Sequence, residues 1–174
     1  MGEIGPGLLI FLGVGQDDTE EDVGYLVEKV LHLRIFADSQ SRLNLSLTDI
    51  HGSLMIVSQF TLWGDCRRGR RPSFSHSAPP EKAEPLYNLF IRKAKEAGLT
   101  VTSGRFQAMM EVHLINDGPV TLLLDSQKTF WDLNLEICSF GVRRRVAAFK
   151  YRDASRLPKR GPVRALQKPL RVQF

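Results

Sequence analysis

Apolar residues along this chain recur with two periods, one suited to strands and one to helices. Residues 8–14 are a short continuous apolar run behind the turn signal Gly5-Pro6-Gly7, which predicts a buried strand. Thr19 or Asp18 can then cap a helix whose first turn is acidic, where the helix dipole favours negative charge. Val23, Leu26, Val27, Val30 and Leu31 fall at i, i+3, i+4, i+7 and i+8, a single apolar stripe. Residues 33–36 continue towards a strand, and the polar stretch 39–49, with its scattered leucines, reads as an irregular hairpin region. Residues 54–62 are apolar on both faces and predict a strand covered on both sides. A loop rich in Gly, Pro, Ser and Arg fills 64–80.

A second helix is expected over 81–97, with Ala83, Leu86, Tyr87, Phe90, Ile91 and Ala94 as its stripe and Gly98 at C′. Pro85 inside that pattern should mark the first turn or bend the helix. Residues 99–102, 108–115 and 120–125 read as three strands. The order β-α-β-β-α-β-β-β predicts an α/β (α+β) chain whose mixed sheets form a layered, partly closed barrel flanked by two helices. No internal repeat or heptad is present. Past Phe130 the pattern loosens: residues 131–140 are read as one further element. Residues 143–174, basic and punctuated by Pro158, Pro162 and Pro169, are read as a solvated, partly disordered tail or an RNA-phosphate arm.

Charge sharpens that division. The chain of 174 residues carries a net +5. Residues 1–126 hold 12 basic and 16 acidic side chains, whereas residues 127–174 hold 12 basic and 3 acidic ones, so the positive excess lies entirely in the last 48 residues. The division expected is a domain over 1–130 and a basic extension over 131–174. Apolar content of 43% and charged content of 25% are ordinary for a soluble globular protein, and no apolar run approaches a membrane span. Met1-Gly2-Glu3 has no basic region ahead of an apolar one, so no signal peptide is expected. Cys66 and Cys138 fit no metal spacing and read as free thiols of a reducing compartment.

Two polar clusters end otherwise apolar runs. In Ser58-Gln59-Phe60-Thr61-Leu62, strand alternation puts Gln59 and Thr61 on one face and Ser58 and Phe60 on the other. Gln59 and Thr61 then share a pocket at the strand end, or simply meet water. Main-chain N–H groups freed where the strand stops are able to stabilise an oxyanion. In Asn116-Asp117-Gly118-Pro119-Val120-Thr121, the Gly-Pro unit is a routine hairpin turn or a fixed, carbonyl-exposing wall. Motifs for phosphate loops, dinucleotide turns, nucleophile elbows and zinc proteases are missing. The four histidines, His32, His51, His76 and His113, are scattered and read as surface or packed side chains. The run Arg67, Arg68, Arg70, Arg71 is a solvated face or, beside the candidate site, a contact for a nucleic-acid backbone.

With these clusters in hand, residues 2–130 resemble the D-aminoacyl-tRNA deacylase (D-tyrosyl-tRNA deacylase) family. The resemblance rests on Glu3-Ile4-Gly5-Pro6-Gly7-Leu8-Leu9, Ser58-Gln59-Phe60-Thr61-Leu62, Arg71-Pro72-Ser73-Phe74, Gly104-Arg105-Phe106 with Met110, and Asn116-Asp117-Gly118-Pro119-Val120-Thr121, in the family's order and spacing. It implies a cytoplasmic homodimer that hydrolyses the ester joining a D-amino acid, or glycine, to the terminal adenosine of tRNA, without metal or cofactor. It implies that Ser58, Gln59, Phe60 and Thr61 form the catalytic stretch, with N–H groups near Phe60 and Thr61 facing the scissile carbonyl. Phe106 and Met110 are implied to hold the adenine. Gly118 and Pro119, joined by a cis bond in the family, are implied to cross into the partner's site and exclude L-amino acids.

Three departures accompany the resemblance. The family's opening strand and turn have no counterpart before Glu3, Gln107 stands where glycine is common, and the basic extension matches no family motif. The rival expectations are a non-catalytic RNA-binding module of the same fold and an editing module for L-aminoacyl-tRNA, against which the intact Gly118-Pro119 argues.

Overall fold

A computed structural model describes residues 2–127 and, as backbone, the strand at 146–151. Strand β1 (Gly7–Leu12) is followed by α1 (Glu20–His32), the short strands β2 (Phe36–Ala37) and β3 (Leu43–Leu45), and β4 (Ser53–Ser58). After a 3-10 turn at Phe60–Trp63 come α2 (Pro80–Glu96), β5 (Thr100–Ser103), β6 (Asn116–Leu124) and β7 (Val146–Tyr151). The main sheet has the order β5-β4-β1-β7-β6, and β2 and β3 form a separate ribbon. β1 runs parallel to β4 and antiparallel to β7, β4 is parallel to β5, and β6 is antiparallel to β7. The mixed α/β architecture with two helices is as expected. β5 and β6 are edges, and no pairing among the described residues closes the sheet into a barrel.

Local chemistry explains the helices. Thr19 donates from its N–H and its hydroxyl to the Asp22 carboxylate, both at 2.9 Å, and Glu20, Glu21 and Asp22 stand where the dipole favours them. The predicted stripe of α1 is buried in full. α2 begins one residue early, at Pro80, and buries Leu86, Tyr87, Leu89, Phe90 and Ala94. Pro85 sits beyond the first turn, and the helix continues through it. The proline is exposed, so water can take the carbonyl its missing N–H leaves free. Against these stripes pack Leu8, Ile10 and Leu12 of β1 and Leu54 and Ile56 of β4.

Three sequence expectations change. β4 ends at Ser58 rather than Leu62, because Gln59 turns away and Leu62 donates back to the Gln59 carbonyl at 3.3 Å. Residues 108–115 are not a strand: none of the described strands pairs with them, and most of their side chains face solvent. β6 instead begins at Asn116 and carries the second polar cluster inside it. The element read over 131–140 lies outside the described residues, as does the extension apart from β7.

β7 matters for the site because, among the described residues, it alone joins β6 to the sheet. Deleting residues 131–174 is expected to release β6, at about 1 kcal/mol per ladder bond lost. Amide exchange at Asn116–Leu124 should then approach that of unpaired backbone. Unchanged protection there would mean that another segment holds β6.

Candidate active site

β1 and β4 end level, with Leu12 paired to Ser58, and Gln59 N–H still reaches the Leu12 carbonyl at 2.9 Å. The chain then winds into the 3-10 turn, which Gly64 closes by donating to the Thr61 carbonyl at 3.0 Å. Trp63 pins this turn from below: its side chain is 4% exposed and lies flat against Gly13 and Gly15. A Cβ on Gly15 would come within 2.4 Å of the indole, so a larger residue there would displace the turn.

On this pinned turn Gln59 donates from Nε2 to Thr61 Oγ1 at 2.5 Å. The two side chains meet as expected, though through the turn rather than through strand alternation. Because Gln59 takes the hydroxyl's lone pair, Thr61 keeps its own proton free to donate. No carboxylate or imidazole among the described residues bonds to Thr61. The N–H groups of Phe60 and Thr61, at the start of the turn, also find no acceptor among the described residues, as is usual for the first donors of a helical turn. Ser58 is half-buried at the strand end, and Phe60 is 59% exposed.

Residues 104–110 are fastened to the same end of β4. Gly104 N–H donates to the Ile56 carbonyl at 2.8 Å. The buried Tyr87 of α2 shares its one hydroxyl proton between the Ile56 carbonyl at 2.8 Å and the Gly104 carbonyl at 3.1 Å. Burial pushes this phenol up to about 12, so it remains a neutral donor throughout the physiological range. Phe106 packs on Tyr87, ring centroids 5.7 Å apart, and Met110 covers Gly104, with its sulfur 2.8 Å from where a Cβ would stand. Both adenine-binding candidates therefore lie on the segment tied to the strand that carries Ser58. The sequence reading treated Tyr87 only as a core position; a tyrosine within a buried stripe signals that its hydroxyl has a partner.

Gly118 and Pro119 stand elsewhere. β6 is three strand steps from β4, roughly 14 Å across the sheet. The register sets Asn116 opposite Tyr151, which faces Gly7, at the end of the sheet away from Ser58. Within one chain the two polar clusters occupy opposite corners. The Gly118–Pro119 bond is trans, in contrast to the cis bond implied by the family: no described peptide bond is cis. The local turn is made by other means. Gly118 has φ +136°, and the Asn116 side chain clamps the bulge, accepting from Val120 N–H at 3.3 Å and donating to Thr121 Oγ1 at 3.1 Å. Both Gly118 and Pro119 are exposed.

Cys66 is an exposed free thiol; Cys138 lies outside the described residues. No cluster of three His, Cys, Asp or Glu among the described residues has the makings of a metal site. No described helix is long and apolar enough to cross a membrane. What the first cluster offers is a fixed hydroxyl, a carboxamide and main-chain donors that no described acceptor takes, an arrangement able to position and polarise a carbonyl group.

A family profile described as D-Tyr-tRNA(Tyr) deacylase matches residues 1–125. D-aminoacyl-tRNA deacylases of Thermosipho melanesiensis, Alkaliphilus metalliredigens and Clostridioides difficile are 61%, 59% and 58% identical over 131, 129 and 130 residues. These matches cover 75%, 74% and 75% of this chain and 87% of each relative. Among solved structures, one described as c-Myc DNA Unwinding Element Binding Protein aligns with a TM-score of 0.63 and 36% identity, covering 67% of this chain and 80% of that one. This chain belongs to the D-Tyr-tRNA(Tyr) deacylase family.

Two substitutions test the local account. Tyr87→Phe removes the donor that ties Ile56 to Gly104 and is expected to cost about 1–2 kcal/mol in urea unfolding. Gln107 has φ +58°, a left-handed conformation that strains any residue with a Cβ. Gln107→Gly is expected to stabilise the fold by about 0.5–1 kcal/mol by the same measurement.

Proposed function

We infer that this protein is a D-aminoacyl-tRNA deacylase: it hydrolyses the ester between a D-amino acid and the terminal adenosine of tRNA, releasing free amino acid and tRNA. The observation that carries the reading is the Gln59–Thr61 pair on a pinned turn whose first N–H groups find no acceptor among the described residues, in a chain of this family. Water adds to the ester carbonyl, the Phe60 and Thr61 N–H groups stabilise the oxyanion, and the ribose 3′ oxygen leaves with a proton. No base among the described residues stands beside Thr61, so its hydroxyl is a weak nucleophile and serves to position. The adjacent 2′-hydroxyl of the substrate activates the water, while Phe106 and Met110 hold the adenine. Glycine, which has no side chain to exclude, is also removed.

The working unit is a homodimer in the cytoplasm. Opposite corners of one chain reach one substrate only if Gly118 and Pro119 serve the site of a second copy. The exposed Met109, Leu114, Ile115 and Leu123 supply apolar surface for such a contact. In a two-fold pair each copy gives its Gly-Pro wall to the other, and two composite sites result.

D-Tyr-tRNA should be deacylated and L-Tyr-tRNA spared. Pro119→Ala is expected to narrow that preference by about tenfold or more, roughly 1.4 kcal/mol of discrimination. Unaltered rate and unaltered rejection of the L form would remove Pro119 from the site. Thr61→Val is expected to stay within about tenfold of the parent, whereas a substrate ending in 2′-deoxyadenosine slows by about 100-fold or more. The reverse pattern would make Thr61 the nucleophile.

A further inference from the structure

Three residues after Thr61 the chain forms a closed cationic loop. Asp65 and Ser73 exchange both backbone hydrogen bonds, at 2.8 and 3.0 Å, and residues 66–73 between and beside them are all exposed. Gly69, with φ +70°, turns the tip. The base of the loop is tied to the candidate site twice: Gly64 donates to the Thr61 carbonyl at 3.0 Å, and the Phe74 ring meets the Phe60 ring edge-on at 5.0 Å.

The four arginines of this loop are not equivalent. Arg67 is committed to Asp65, with contacts of 2.8 Å from Nε, 3.0 Å from its N–H and 2.5 Å from a terminal nitrogen. That grip holds the Asp65 carboxyl well below the usual carboxylate range, so the pair persists at any physiological pH. Arg68, Arg70 and Arg71 have no carboxylate partner among the described residues. Three guanidinium groups are thus crowded into four positions, unneutralised, on a loop anchored to the turn that would cleave the ester. Nothing in the packing of the described residues needs them there, since all three face solvent.

We propose that Arg68, Arg70 and Arg71 grip the phosphodiester backbone of the last nucleotides of tRNA, just before the terminal adenosine. The inference rests on the deacylase reading and adds to it the surface that captures the RNA. The guanidinium fork suits phosphate oxygens, and contacts of this kind fix position without reading sequence. The loop therefore lowers KM for every charged tRNA and leaves the chemical step alone. Arg67, held by Asp65, keeps the loop closed and takes no phosphate.

The test compares the parent with Arg68→Gln/Arg70→Gln/Arg71→Gln on two substrates, D-tyrosyl-tRNA and D-tyrosyl-adenosine, which lacks phosphate. Exposed substitutions of this type rarely disturb a fold. The expected result is a KM for D-tyrosyl-tRNA raised about tenfold or more with kcat retained, and unchanged kinetics on D-tyrosyl-adenosine. The log–log dependence of tRNA affinity on salt should flatten by about 2, since each of three single-strand phosphate contacts contributes roughly 0.7 to that slope. Equal losses on both substrates, or no loss on either, would overturn the proposal. If the parent cleaves neither substrate, the deacylase reading falls; binding of uncharged tRNA by the parent and the triple variant, measured across the same salt series, then decides the loop's role alone.

Discussion

Every backbone donor and acceptor of a buried strand needs a partner, and β1 meets that demand on both of its sides. It is paired in parallel with β4 and antiparallel with β7 over the same six residues. Its side chains Leu8, Ile10 and Leu12 then belong to the helix side, where the stripes of α1 and α2 close over them. Because β1 and β4 stop at the same level, their ends form a step on which the chain has to turn. The turn at Phe60–Trp63 occupies that step, so the placement of Gln59 and Thr61 follows from main-chain pairing rather than from local sequence preference.

The same pairing explains why the second polar cluster is remote. β6 is joined through β7, outside the span matched by the family profile, so the profile match, which ends at residue 125, stops inside the sheet. The main sheet itself extends through β7 to Tyr151. A basic segment that reads as an appendage supplies an interior strand.

Much of the fold was legible in advance because periodicity reports burial. The stripe of α1 was readable in full, and that of α2 in part: Leu89 was missed, and the expected Ala83 and Ile91 are only half-buried. What escaped was decided by partners distant in sequence. Residues 108–115 alternate like a strand, yet alternation predicts only a face, and the ladder needs a neighbour to complete it. β7 hides in an arginine-rich stretch because only Val146, Ala147, Ala148 and Phe149 hint at a strand. At the site, the meeting of Gln59 and Thr61 was readable from their spacing, although the geometry that produces it is a turn. The bridge from Tyr87 to Ile56 and Gly104 was invisible, since it spans 31 and 17 residues. The trans geometry at Gly118–Pro119 could not be read from residue types either, because either isomer is available to a proline and context selects between them.

The buried Trp63 makes the turn optically visible. Its indole N–H has no hydrogen-bond partner among the described residues and its ring is shielded against Gly13 and Gly15, so its fluorescence should be emitted from an apolar setting, at short wavelength. Any event that lifts the turn off those glycines wets the indole and shifts the emission to the red. The chain has one other tryptophan, Trp131; replacing it with phenylalanine would leave a single intrinsic tryptophan reporter within the turn that carries Thr61.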